Sequence, residues 1–96
     1  MSTFLFLYKG YVQPTPEIGQ AWMGWFDSVG DTMVDSGHPM TRGVEVTPDG
    51  VDELPLGHDS FTGYSIIEAD SHEAAVALAH TNPMVTSVVV HELAKM

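Results

Sequence analysis

Five histidines, thirteen carboxylates, one arginine and no cysteine set the chemical repertoire of this 96-residue chain. The lack of cysteine removes disulfides, thiolate metal sites and thiol nucleophiles. Imidazole changes charge near neutral pH, so proton transfer is the chemistry to look for first. His58 stands beside Asp59 in the acidic, Pro- and Gly-containing run VDELPLGHDS, residues 51–60. A carboxylate there can orient or charge the imidazole, which makes His58 and Asp59 the candidate catalytic pair. Adjacent side chains on an extended chain point apart, however, and an ordinary exposed loop also accounts for both. His38 follows the end of one helical stretch and His80 lies in the last turn of another. A protonated imidazole interacts favourably with the helix dipole in both places, by about 0.3–1 kcal/mol. His72 falls in a first helical turn and His91 in a strand, neither with an evident partner. No pair of histidines has the H-x-H, H-x-x-x-H or H-E-x-x-H spacing, so no metal site and no cofactor are expected.

Four residues are candidates for touching a small-molecule substrate: Trp22, Trp25, His38 and Arg42. Each Trp has enough area to serve the core and a pocket wall together. Arg42 is the single guanidinium and can hold a carboxylate with two parallel hydrogen bonds if it points into the space between sheet and helices. A salt bridge to one of the many acids is its plainer role. Asp27, Asp31 and Asp35 form an i, i+4, i+8 row, read as a solvated face or, alternatively, a cation- or partner-facing strip.

The elements that must position these groups follow from periodicity. Thr3 to Lys9 reads as a first strand in which Phe4, Phe6 and Tyr8 alternate with Leu5 and Leu7, so both faces are apolar. A sheet covered on one side only would show a polar alternate set. The second face therefore calls for a cover, either another subunit or a loop, and a homodimer is expected. Thr15 caps a helix with Pro16 at its first position. Ile18, Trp22, Trp25, Phe26, Val29 and Met33 form an apolar stripe that carries this helix to about Ser36, with Gly37 in the left-handed position beyond it. Met40 to Thr47 reads as a second strand ending at the Pro48-Asp49-Gly50 turn, and 51–60 as a loop. Phe61 onward reads as a third strand with Gly63 marking a close approach of helix 1 or its Trp side chains. Ser71 caps a second, alanine-faced helix stopped by Asn82-Pro83. Val85 to Leu93 completes a β-α-β-β-α-β order, for which an α+β ferredoxin-like sandwich is the simplest solution.

Composition sets outer bounds. The length suits one domain over residues 1–96. A formal charge of −10 excludes nucleic acid and anionic membrane as partners, because phosphate binding needs clustered Lys and Arg. No apolar run approaches the roughly 20 residues that span a bilayer, and no signal-peptide pattern is read, so a cytoplasmic location is expected.

The run GYSIIEADSHEAAVALAHTNP (63–83), the valine-rich strand after it with Glu92, the FLFLY start, the Trp22/Trp25 helix and the DSGHP turn (35–39) together resemble the YCII-related (DGPF-type) domains. The resemblance implies a dimeric α+β barrel with a pocket between sheet and helices. For a few relatives it also implies cofactor-free chemistry of lyase, dehydratase or isomerase type on a small organic molecule, such as dehydrochlorination of an aromatic. The catalytic pair it implies is a His early in helix 1 with an Asp before strand 3. This chain has Trp25 or Phe26 where that His would stand and Asp59, next to His58, where the carboxylate would be. The alternative expectation is a non-catalytic small-ligand-binding or accessory dimer.

Overall fold

In the computed structural model, which describes residues 1–95, the first strand β1 (Ser2–Lys9) is one of the two central strands of a four-stranded antiparallel sheet. Its aromatic set Phe4, Phe6 and Tyr8 is buried, while Leu5 and Leu7 on the other face are only half-covered. Helix α1 (Pro16–Val29) begins as its sequence dictates, the Thr15 hydroxyl accepting from the Ile18 amide at 3.3 Å. It stops at Val29 rather than near Ser36. Gly30 adopts φ +51°, ψ −124°, a conformation that disfavours any residue with a Cβ. A short 3-10 turn (Gly30–Thr32) follows, and then the chain extends as β2 (Met33–Asp35) along the edge of the sheet.

Gly37 does take the left-handed conformation, at φ +75°, but in the turn after β2 and not at a helix end. The Asp35 carboxylate accepts from its amide at 2.8 Å, and a Cβ there would run into the Tyr64 carbonyl. The expected strand over Met40–Thr47 also differs. Gly43–Thr47 (β3) pairs with Gly50–Leu54 (β4) around Pro48-Asp49 as a separate two-stranded arm, and β4 occupies what reads in sequence as loop. Pairing Val46 with Val51 and Val44 with Glu53 satisfies backbone groups that a loop would leave to water.

Strand β5 (Phe61–Ala69) pairs with β1 along its length, helix α2 (His72–His80) follows the Ser71 cap, and β6 (Ser87–Glu92) closes the sheet on the far side of β1. The strand order is β2-β5-β1-β6. The protein is thus an α+β fold with a mostly antiparallel sheet and two helices.

Both helices lie on the face carrying Phe4, Phe6, Tyr8, Ser65 and Ile67. There Trp25, Val29, Ala75 and Ala79 complete the core, with Val88 and Val90 of β6 packed against it. Alanine at 75 and 79 lets α2 approach the sheet closely, and the Trp25 indole ties the two helices by donating to the Thr81 hydroxyl at 2.9 Å. Gly63 is buried, and the close approach it permits is to the Tyr8 ring and to the His38 and Pro39 backbone, not to α1. The opposite face of the sheet, with Leu5, Leu7, Tyr64, Ile66 and Val89, has no covering layer among the described residues.

Candidate functional site

Two cavities flank the segment 38–41. The smaller, of about 500 Å³, opens between the N-terminal half of α1 and the turn after β2. Its wall is aromatic: Trp22 meets Tyr8 edge-on with ring centres 4.7 Å apart, and Phe26 lies 6.0 Å from Trp22. Helical spacing places Trp22 and Phe26 one turn apart, so both face the strand end that carries Tyr8. The floor is Gly63, whose missing side chain leaves room beside the Tyr8 ring. Opposite stands His38, held in place because Pro39 bridges to Gly63 and the Met40 amide donates to the Thr62 carbonyl at 2.9 Å. Although the chain has 13 acidic residues, none lines this cavity. An apolar recess with a few polar groups at its rim is the usual form of a small-molecule site.

Beneath that wall the Tyr8 hydroxyl donates to the Ser65 hydroxyl at 2.8 Å, and Ser65 donates onward to the Ser36 carbonyl at 2.9 Å. Burial pushes the Tyr8 phenol up to about 12, the Ser65 hydrogen bond offsetting part of the rise. The phenol is therefore neutral at physiological pH and acts as a hydrogen-bond donor.

The larger cavity, of about 700 Å³, lies between the root of the β3–β4 arm and the uncovered sheet face. Leu7, Met40, Leu54, Leu56 and Phe61 supply its apolar lining; Arg42, His58 and Asp59 are at its rim. Loop 57–60 has a fixed backbone, since the Thr86 hydroxyl donates to the His58 carbonyl at 2.7 Å and the Gly10 amide donates to that of Ser60 at 2.8 Å. The imidazole Nδ1 of His58 comes within 3.2 Å of the Asp59 carboxylate, so these adjacent side chains do meet. They are 80% and 82% exposed, however, and an ion pair in water contributes little. Arg42 bridges to Glu53 across the arm, likewise in solvent.

The residues singled out in the sequence thus divide. Trp22 and His38 share the smaller cavity, and Arg42, His58 and Asp59 share the larger one. Trp25 lies in the core, 4% exposed, and lines neither. His72 packs edge-on against Phe4 at 5.6 Å. Sequence reasoning passed over Tyr8, Phe26 and Thr62 as site residues. The signal available for Phe26 was its place one turn after Trp22; the other two become visible only once β1 and β5 are paired.

Among the described residues no three His, Asp or Glu side chains gather as a metal site, and no helix is long and apolar enough to cross a membrane. No family model, curated protein or solved structure matches the chain.

Proposed function

We propose that this chain is a ferredoxin-like domain of the YCII-related type that binds a small planar organic molecule in the Trp22 cavity and works as a homodimer. The aromatic cavity, free of carboxylates in a strongly acidic chain, is the observation that carries the binding role. Trp22, Phe26 and Tyr8 offer ring faces and edges for stacking. His38 offers a ring nitrogen for a hydrogen bond, so a neutral or weakly acidic aromatic such as a phenol or benzoate suits the site. The strand order β2-β5-β1-β6, with both helices on one face and the arm set outside the sheet, supports the ferredoxin-like part of the reading. The uncovered apolar sheet face supports the dimer. Proton transfer by His58 with Asp59 has their 3.2 Å contact at a cavity rim in its favour. Nothing around the pair excludes water, so binding at Trp22 is the preferred role.

Indole fluorescence tests it directly. Titration with a panel of small phenols and benzoates should give saturable quenching for at least one member. Trp22→Ala should weaken that ligand's binding at least tenfold, by about 1.4 kcal/mol or more, while Trp25 still reports a folded core. Equal affinity in the variant, or no saturable change across the panel, would remove the reading.

A further inference from the structure

The β3–β4 arm is the part of the fold least explained by the single chain. A two-stranded hairpin is marginal in water unless a third strand or another surface supports it. Among the described residues β3 and β4 pair only with each other. One face of the arm presents Val44, Val46 and Val51, which are 44%, 72% and 63% exposed. On its other face Glu45 stands directly across from Asp52, a like-charge pair that opposes pairing. Such a hairpin calls for an apolar surface to lie on.

That surface is present on the molecule itself. The cavity of about 700 Å³ at the arm's root is lined by Leu7, Leu54, Leu56 and Phe61. An arm cannot enter its own groove, because Arg42, Gly43 and Leu54 at its base form one wall. A second copy can.

We propose that two copies exchange arms, each laying its valine face into the other's groove. The exchange rests on the homodimer proposed above and adds to it the contact that holds the copies together. A valine-faced arm and an apolar groove on one chain are self-complementary, which an isologous two-fold interface requires. The surface area agrees. The chain exposes 6615 Å². A folded monomer of this mass exposes about 5,400 Å². The excess of about 1,200 Å² exceeds the roughly 800 Å² that each partner contributes to a stable interface of standard size.

Val46→Lys with Val51→Lys is the test, since both side chains are exposed in the single chain and the substitution places two ammonium groups in an apolar groove. Sedimentation across micromolar concentrations should show the wild type as a dimer. The double variant should be a monomer with unchanged circular dichroism and a dissociation constant at least 100-fold higher. If the lysine variant misfolds, Val46→Ser with Val51→Ser answers the same question through loss of apolar contact alone. Leu5→Asp, on the sheet face but outside the groove, separates the two proposals. If Leu5→Asp dissociates the dimer while both arm variants remain paired, the sheet-face dimer stands and arm exchange is wrong. A wild type that stays monomeric overturns both, and leaves the arm to a different partner.

Discussion

Tyr8 is the residue at which core, cavity and hydrogen-bond chain coincide. Its ring walls the Trp22 cavity, its hydroxyl reaches Ser65, and it is only 6% exposed. In the unfolded chain a phenol titrates near 10, whereas burial here pushes Tyr8 up to about 12. The folded state therefore holds this proton more tightly than the unfolded one. The resulting stabilisation is present in full below about pH 10 and is lost as pH rises toward 12. Urea midpoints measured from pH 9 to 12 should fall by an amount equivalent to at most about 1.4 kcal/mol per pH unit from this group. Tyr8→Phe should remove that component and leave only the slope from the other titrating side chains. Its cost at neutral pH should be small, about 1 kcal/mol, because Ser65 keeps its own bond to the Ser36 carbonyl. Identical slopes in the two proteins would mean that the phenol ionises freely in the folded state.

Elements with punctuation at both ends were legible, and those defined by period alone were not. Helix α2 has Ser71 accepting from the Ala74 amide at 3.1 Å and Asn82-Pro83 as its stop, so its sequence and structure agree closely. The start of α1 at Thr15-Pro16 was equally plain. Its end was not, because Met33 falls on the helical stripe and also faces the core from β2. Periodicity cannot separate those two placements; the backbone of Gly30 does. The arm was hidden for a related reason. The turn Pro48-Asp49-Gly50 was visible, but Asp52 and Glu53 interrupt the apolar alternation by which β4 would be recognised. The site inherited the error: Trp22 and His38 were legible as candidates, but their meeting depends on α1 ending at Val29 and the chain returning along β5. Two glycines in open space test the boundary with opposite signs. Gly24 is inside α1 with nothing near its missing Cβ, so Gly24→Ala should raise stability by about 0.5–1 kcal/mol. Gly30→Ala also meets no atom, so its cost is backbone strain alone and should be about 1–3 kcal/mol of destabilisation. A stabilising Gly30→Ala would show that the helix continues past Val29 in solution.

At the scale of the whole molecule the governing fact is its flatness. The chain extends 40 × 39 × 18 Å with a radius of gyration of 14.4 Å, against about 12.5 Å for a compact domain of this length. One uncovered sheet face and one projecting arm account for that shape. Adjacent residues of β1 therefore predict different failures, since successive side chains point to opposite faces. Phe6 is fully buried beneath α1, where it lies 6.4 Å from the Trp25 ring. Phe6→Asp places an unpaired carboxylate in the core and leaves a cavity as well. Its cost of about 5 kcal/mol or more approaches the whole stability of a domain this size. It should abolish folding, seen as loss of circular dichroism and of the cooperative denaturation transition. Leu5, one residue earlier, faces the uncovered side and is only half-covered. Leu5→Asp should leave the core intact and instead halve the sedimenting mass from about twice 10.4 kDa to the mass of one chain. A dimer that tolerates a carboxylate at position 5 does not pair through this sheet face.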